Sequence, residues 1–303
     1  MRLLILILLF PFITQGQIVR TNPYYRPTAA ACSYLLDQYS GAAAAYSLRK
    51  LRCAYSGSAI RVRRSSDNTE QDIGFVNGNL DTASLKTFVG TGGTDDGFVV
   101  TWYSQIGSEN ATQSTSSKQP KIMDNGVIYR FNGLPTVYFI KSLATNLATT
   151  NSLFTGSNSR SMWAVYKPNT TSVSVYAICG QSQGTTTGTW FVLQFRNQFV
   201  TGDPYLAGYS SDLTGGDAIT TDPKIAAADY DGTTGILYKN DGTEQSAARS
   251  YNTANRPFRI GRSEDGSSEY CEGFISEIIV WGNSQSSNKS AIFSNINTYY
   301  SIY

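Results

Sequence analysis

The sequence predicts an all-β fold, and the clearest indication is the stretch from Tyr230 to Trp281. It alternates between runs rich in β-branched and aromatic residues and short polar turns, in the order strand, turn, strand, loop, strand. The turn Asn240-Asp241-Gly242 has the residue types that tolerate the positive φ angles of a tight hairpin. Further strand-like runs, bounded by Gly, Pro, Asn or Ser, lie at 60–64, 98–103, 127–131, 136–139, 162–166, 173–178, 190–195 and 225–230.

Two helices are predicted beside the strands. The segment 41–55 is rich in alanine and basic residues and is followed by Gly57, which favours a helix near the N-terminus. In the segment 287–303 apolar residues recur with the spacing of one helical face, which predicts a C-terminal helix. A shorter helical segment is expected at 81–88.

The first sixteen residues have the features of a secretory signal peptide. Arg2 supplies a positive charge, and the apolar run 3–10 is far shorter than the ~20 residues that a membrane span needs. Cleavage after Gly16 would make Gln17 the first residue of a secreted chain, and a short retained anchor is the alternative. Residues 17–303 contain no repeat and no linker-like stretch, so a single domain is predicted.

The composition excludes several classes of function. A formal charge of +2 is too small to indicate a nucleic-acid partner. The absence of histidine excludes Ser-His-Asp and Cys-His mechanisms, and it removes the common ligands of zinc, copper and non-haem iron sites. The twenty tyrosines and four tryptophans suit half-buried strands and also stacking against sugar rings. The sequence does not indicate an oligomeric state.

The hairpin order in 230–281 resembles the closing strands of the concanavalin A-like, laminin G-type β-sandwich, or jelly roll, a scaffold that holds glycans. The resemblance implies a sandwich with a short N-terminal helix and a C-terminal helix. Laminin G-type modules hold Ca²⁺, and Asp229 and Asp231 are the corresponding candidates because residues two apart on a strand share a face. No other cofactor is expected.

Four cysteines in a secreted chain are expected to form disulfides, and four cysteines allow three pairings. Proximity along the chain and the order in the resembled family favour one of these. It joins Cys32 to Cys53 and Cys179 to Cys271.

From about residue 37 to residue 303 the chain is also similar to the catalytic domain of α-L-arabinofuranosidase B. That family has a concanavalin A-like sandwich and hydrolyses terminal arabinofuranose with retention. The similarity covers 43–55, the Arg-rich strand that follows with Ser65-Ser66-Asp67, and the segment 101–107. A retaining glycosidase needs two carboxyl groups about 5 Å apart, one as nucleophile and one as acid/base.

The carboxylates that this resemblance requires are replaced. In the segment 190–197, which matches the active-site strand of the family, Gln194 stands at an Asp position and Arg196 at the nucleophilic Glu. Because Arg stays cationic, it cannot attack an anomeric carbon. The position of the second acid is Ser263, although a slip of one or two residues would bring Glu264 or Asp265 there. These departures imply that the arabinofuranosidase reaction is absent.

The leading interpretation is therefore a secreted, non-catalytic, lectin-like or adhesion module whose partner is a glycan. Stacking and hydrogen bonding would come from Trp190, Gln194, Arg196, Tyr205 and Tyr209, although core packing explains the aromatic residues equally well. One alternative is a glycoside hydrolase of the α-L-arabinofuranosidase type with relocated carboxylates. Another is a structural protein of a virion or cell surface that binds host glycans.

Overall fold

The structure is a computed structural model that describes residues 32–90, 92–198, 200–263 and 269–303. The predicted signal peptide and the start of the mature chain lie outside the described residues, so the single domain predicted over 17–303 stays a prediction. Residues 33–303 form one compact unit. In the described part of the chain, no helix is both long and apolar enough to cross a membrane.

The strands of the first half are β1 Ala42–Ser47, β2 Ile60–Arg64, β3 Glu70–Ile73, β4 Phe75–Val76, β5 Asn79–Leu80, β6 Gly97–Trp102, β7 Ala111–Thr112, β8 Lys121–Asp124, β9 Val127–Ile128, β10 Arg130–Phe131, β11 Leu134–Pro135 and β12 Val137–Phe139. Those of the second half are β13 Leu147–Ala148, β14 Arg160–Pro168, β15 Val175–Gln181, β16 Phe191–Arg196, β17 Gly202–Ala207, β18 Leu213–Thr214, β19 Lys224–Tyr230, β20 Thr234–Lys239, β21 Gly242–Ala248, β22 Arg259–Ile260 and β23 Gly273–Trp281. The helices are α1 Leu35–Gln38, α2 Thr82–Val89 and α3 Lys289–Tyr300, with 3₁₀ turns at Ser116–Lys118, Lys141–Leu143 and Ser286–Asn288.

The prediction of an all-β fold is confirmed. Among the described residues, nineteen strands join by hydrogen bonds into one extended network, and each pairing between them is antiparallel. In one part of the network β14 pairs with β19 on one edge and with β23 on the other. In another part β15, β16, β17 and β18 follow one another as a meander. This meander carries the segment that the sequence singled out as a binding or active-site strand.

The central strand β14 buries both of its faces. Met162 and Tyr166 belong to the main core, whereas Trp163, between them, belongs to a second core that includes residues of α3. Phe293 of α3 contacts Trp163 with ring centroids 4.5 Å apart. The predicted C-terminal helix is therefore confirmed, and its apolar face covers the sheet.

The predicted helix at 41–55 is wrong. Residues 42–47 form β1, which pairs antiparallel with β23, and the short helix near the N-terminus is α1, a single turn at 35–38. Ala44 lies in the main core and Ala45 in the second core, so alternate alanines are buried on opposite faces. This two-sided burial and the pairing with β23 outweigh the helix propensity of alanine, which is a weak preference.

The hairpin between β20 and β21 forms as predicted. Asn240 and Asp241 have φ angles of 48° and 68°, and Gly242 begins β21. Two consecutive positive φ angles are the geometry of a type I′ turn, which matches the twist of the paired strands.

Candidate functional site

The side chains of β16 alternate between the core and the opposite face of the meander. Phe191, Leu193 and Phe195 belong to the main core, so the residues between them face the other way. Gln194 and Arg196 are two of these residues. The strand that the sequence resemblance identifies therefore presents an amide and a guanidinium away from the main core.

Aromatic side chains border the amide and the guanidinium. The ring of Tyr205 on β17 lies against the guanidinium of Arg196, with 4.0 Å between the Cζ atom and the ring centroid. Trp190 and Tyr209 pack against each other with ring centroids 5.6 Å apart. The structure thus brings the five predicted ligand residues into one neighbourhood.

Glu269, which the sequence analysis did not predict, is one acid of this site. Its Oε2 accepts a hydrogen bond of 3.1 Å from Nε2 of Gln194 and one of 2.7 Å from Oγ of Ser263. In the resemblance Gln194, Arg196 and Ser263 stand at positions of family acids, and two of them, Gln194 and Ser263, contact Glu269. A carboxylate from later in the chain therefore occupies the place between them.

Backbone contacts fix the position of Glu269. The amide N–H of Ser263 donates to the carbonyl oxygen of Glu269 at 3.2 Å, and Arg262 forms a bridge with Tyr270. These two contacts hold Glu269 and Tyr270 beside Arg262 and Ser263. The predicted candidates Glu264 and Asp265 lie outside the described residues.

Gln194 has one unsatisfied polar atom. The side chain is 1% exposed, its Nε2 is bonded to Glu269, and its Oε1 has no hydrogen-bond partner among the described residues. A buried acceptor without a partner costs free energy that a folded protein normally avoids.

A cavity of about 230 Å³ borders Glu269, the hydrogen-bond partner of Gln194. Its lining consists of Trp190, Arg196, Ala207, Tyr209, Ser210, Asp212 and Glu269. Two carboxylates, one guanidinium and two aromatic rings thus face a single cavity. This combination is typical of sugar sites, where rings stack on the sugar face and charged groups act on its hydroxyl groups or its glycosidic bond.

Asp212 is held in place by its surroundings. Its Oδ1 accepts a 2.7 Å hydrogen bond from the amide of Gly208, and its carbonyl oxygen accepts one of 2.9 Å from Nη2 of Arg249. Burial and a hydrogen bond to Asp212 raise the pKa of the Tyr205 hydroxyl. The phenol therefore stays protonated and donates to the carboxylate.

The turn between β17 and β18 has an unusual backbone at the edge of the cavity. Tyr209 and Ser210 have φ angles of 48° and 60°, a region that residues other than glycine seldom adopt. A Cβ atom at Gly208 would lie 2.4 Å from the carbonyl oxygen of Ser211, so the turn requires glycine there. Strained residues of this kind concentrate at functional sites.

A second, larger cavity adjoins the first. It measures about 750 Å³ and shares Ser210 and Asp212 with the smaller cavity. The rest of its lining is mostly polar and consists of Thr187, Ser211, Gly232, Thr233, Ala248, Arg249 and Ser250. Asp212 therefore stands where the two cavities meet.

The two predicted calcium ligands have separate partners in the structure. Asp229 is buried and accepts hydrogen bonds from the Ser284 hydroxyl at 2.5 Å and from the Gln285 amide at 2.7 Å. Burial raises the pKa of Asp229. Asp231 instead accepts from the amides of Thr233 and Thr234 in a local turn. A cation shared by these two acids would have to replace several of these donors.

Half of the predicted disulfide pairing is confirmed. Cys32 and Cys53 form a disulfide, but Cys179 and Cys271 are free, buried thiols. Their predicted pairing is wrong, because closeness in the fold is insufficient when a disulfide also requires a narrow range of Cβ geometry. Burial raises the pKa of both thiols, which therefore stay protonated.

Comparison with solved structures supports a fold assignment. No protein-family model matches the chain, and no curated protein matches its sequence. The chain is similar in structure to an arabinofuranosidase complexed with arabinofuranosyl-α-1,2-xylobiose, with a TM-score of 0.68 and 17% identity over 86% of this chain and 64% of that one. The chain shares the fold of this enzyme over the matched region.

Two further structures are of glycoside hydrolase family 54 α-L-arabinofuranosidases. One is a mutant soaked with 4-nitrophenyl α-L-arabinofuranoside, with a TM-score of 0.67 and 16% identity, and the other was soaked with a cyclic sulfate inhibitor, with a TM-score of 0.67 and 17% identity. Each match covers 86% of this chain and 64% of the other. The chain thus spans a little under two thirds of the length of these enzymes, and identity this low establishes the fold alone.

The interpretation as a non-catalytic lectin-like module is wrong. The structural matches to arabinofuranosidases favour the alternative of a glycoside hydrolase with relocated carboxylates. The lectin-like interpretation relied on Arg196, which stands at the position of the nucleophile in the resembled family. It missed Glu269 because the residue lies 75 positions beyond Gln194 and carries no motif of its own.

Proposed function

We propose that the chain is a glycoside hydrolase whose catalytic carboxylates are Glu269 and Asp212. One observation carries the proposal: both acids line the same cavity, beside the strand that the resemblance identifies as the active-site strand. Glycoside hydrolysis requires such a pair of carboxyl groups on either side of one glycosidic bond. One of them acts as the acid, and the other acts as nucleophile or activates water.

The surroundings of Glu269 suit a reacting carboxylate. Gln194 and Ser263 both donate to Oε2, which fixes the orientation of the group. Its Oε1 accepts no hydrogen bond from a described residue, so one oxygen is available to the substrate. Orientation by neighbouring donors is the usual way in which an active site places such a group.

The remaining residues of the cavity bind the sugar. Trp190 and Tyr209 offer ring faces for stacking, and Arg196 and Ser210 supply polar groups. The adjoining cavity, which begins at Asp212, has room for the next sugar of an oligosaccharide. The scissile bond would then lie near Asp212, at the junction of the two cavities.

We also propose that this glycan-degrading protein is secreted and that its fold is a concanavalin A-like sandwich. The Cys32–Cys53 disulfide supports an oxidising compartment, because disulfides persist mainly outside the cytosol. The antiparallel network and the structural similarity to arabinofuranosidases support the sandwich.

The first prediction tests the two carboxylates by substitution. Glu269→Gln and Asp212→Asn are each expected to lower hydrolysis by about 10²- to 10⁴-fold, the range typical for loss of a catalytic acid or base. The measurement is sugar release from a panel of aryl glycosides and from oligosaccharides, with product stereochemistry followed by NMR.

Glu70→Gln and Asp222→Asn are the matched controls, because both acids are exposed and do not line the cavities. Both control variants are expected to keep wild-type rates. Wild-type protein without turnover on the panel, or full turnover by Glu269→Gln, contradicts the proposed function. Thermal unfolding of each variant shows whether a loss of activity reflects a loss of fold.

A further inference from the structure

The guanidinium of Arg196 is the only cationic group among the residues that line the smaller cavity. Its Nε donates to the carbonyl oxygen of Val200 at 3.2 Å, and the ring of Tyr205 covers one of its faces. Neither Nη1 nor Nη2 is hydrogen-bonded or ion-paired with a described residue. Arg196 is only partly buried, and it lines the cavity.

The two nitrogens of a guanidinium match the two oxygens of a carboxylate. A bidentate pair of this kind is stronger and more directional than a hydrogen bond between neutral groups. Stacking on Tyr205 and the bond to Val200 hold Arg196 in one orientation before the ligand arrives, which reduces the entropy lost on binding.

The position of Arg196 also limits the roles that its positive charge can have in the cavity. At the strand position where the resembled family has a nucleophile, a permanent cation cannot take part in covalent catalysis. The protein carboxylates Glu269 and Asp212 face the same cavity, yet neither forms an ion pair with Arg196. The cation is therefore available to a ligand that brings its own negative charge.

We infer that Arg196 determines specificity and selects a glycan with a uronic acid at this cavity. The inference rests on the proposed function for the location of the sugar, and it adds the chemical class of the substrate. The carboxylate of the sugar pairs with Nη1 and Nη2, while its ring stacks on Trp190 or Tyr209. A neutral sugar of the same shape lacks the partner for Arg196.

The test measures binding separately from hydrolysis. The probes are oligosaccharides of galacturonate, glucuronate and mannuronate, each compared with its carboxyl-reduced form. Ligand-observed NMR titration measures the binding of each probe to the Glu269→Gln variant. We expect at least one acidic probe to bind about 100-fold more tightly than its reduced form, because a charged hydrogen-bonded pair is lost in the latter. Arg196→Ala in the same background should remove this preference. Arg196→Lys should restore about a tenth of it, because lysine keeps the charge without the planar fork.

Arg130→Ala is the matched control, because it removes the same charge from an exposed residue that lies outside the cavity. It is expected to keep the preference for acidic probes. Equal binding of acidic and reduced probes, or a preference that survives Arg196→Ala, overturns the inference. If the inference fails in this way but the protein hydrolyses neutral glycosides and Glu269→Gln does not, the proposed function stands. Arg196-dependent binding of acidic probes without turnover would instead overturn the proposed function and keep the inference.

Discussion

Glu277 on β23 is a buried carboxylate whose charge is balanced by a single cation. Arg49 donates to it twice, from Nε at 2.7 Å and from Nη2 at 2.9 Å, and the Ser47 hydroxyl adds a third hydrogen bond of 2.7 Å. Arg49 also donates to Asn295 of α3. The pair therefore links the sheet to the C-terminal helix.

The second prediction concerns this ion pair. Arg49→Met leaves the Glu277 carboxylate buried without a counter-charge, so the free energy of unfolding is expected to fall by about 3–5 kcal/mol. The double variant Arg49→Met/Glu277→Met removes both charges and is expected to recover most of that loss. Urea denaturation measures both. A single variant within about 1 kcal/mol of wild type would show that the carboxylate is solvated or protonated instead.

At the scale of single residues, the sequence singled out a segment that the structure places at the cavity, but it predicted neither Glu269 nor Asp212. Trp190, Gln194 and Arg196 could be singled out because they lie in one segment, 190–197, whose pattern resembles a family segment. Glu269 lies 75 positions beyond Gln194, and nothing in the sequence indicates that it contacts β16. Contacts of this kind depend on tertiary structure, which short motifs do not encode.

Asp81 begins α2 as its N-cap. Its Oδ1 accepts a 2.9 Å hydrogen bond from the amide of Ser84, and its Oδ2 accepts one of 2.6 Å from the Ser84 hydroxyl. These hydrogen bonds, the side-chain bond first, lower the pKa of Asp81 below its ordinary value of 3.8. The folded state therefore favours the ionised carboxylate, which also suits the positive end of the helix dipole.

The third prediction follows from this cap. Asp81→Ala is expected to lower the free energy of unfolding by about 1 kcal/mol at neutral pH, whereas Asp81→Asn, which still caps the helix, should lose much less. Because the pKa is lowered on folding, the contribution of the charge is present above pH 3.8 and is lost as the pH falls through the lower folded value. Chemical denaturation from pH 3 to 7 measures this. A deficit in Asp81→Ala that grows toward low pH would contradict the assignment.

At the scale of elements, alternating strands and the Asn-Asp-Gly turn were predicted from local chemistry. The segment 42–47 was not, because its alanines favour a helix in isolation and form β1 only when β23 supplies hydrogen-bond partners. Ala44 and Ala45 show the reason directly, since each is buried in a different core. Helix propensity does not predict the structure of a short segment whose two faces are both buried.

The fourth prediction concerns the cysteines of the whole chain. The structure contains one disulfide, Cys32–Cys53, and two buried protonated thiols, Cys179 and Cys271. Because the thiolate is the reactive form and burial excludes the reagent, iodoacetamide should add to neither cysteine in the native protein. In denaturant it should add to two cysteines, and to four when a reductant is also present. Intact-mass measurement counts the additions. Denatured protein that takes up none without reductant would show that Cys179 and Cys271 are joined.

For the whole molecule, the fold class followed from the sequence because many strands repeat the same local pattern. The proposed function did not follow, because the two acids assigned to it come from different parts of the chain. The resemblance indicated where carboxylates should be, and their replacement by Gln194 and Arg196 argued against catalysis. Only the packed structure shows that Glu269 stands between Gln194 and Ser263.

Both acids of the proposed site lie in connections between strands. Asp212 is in the turn between β17 and β18, and Glu269 is in the loop between β22 and β23. Connections tolerate insertions and exchanges that a packed strand does not. A lineage with this arrangement can acquire new substrates by replacing loops while the sheet beneath them stays the same, so chemistry and framework evolve at separate rates.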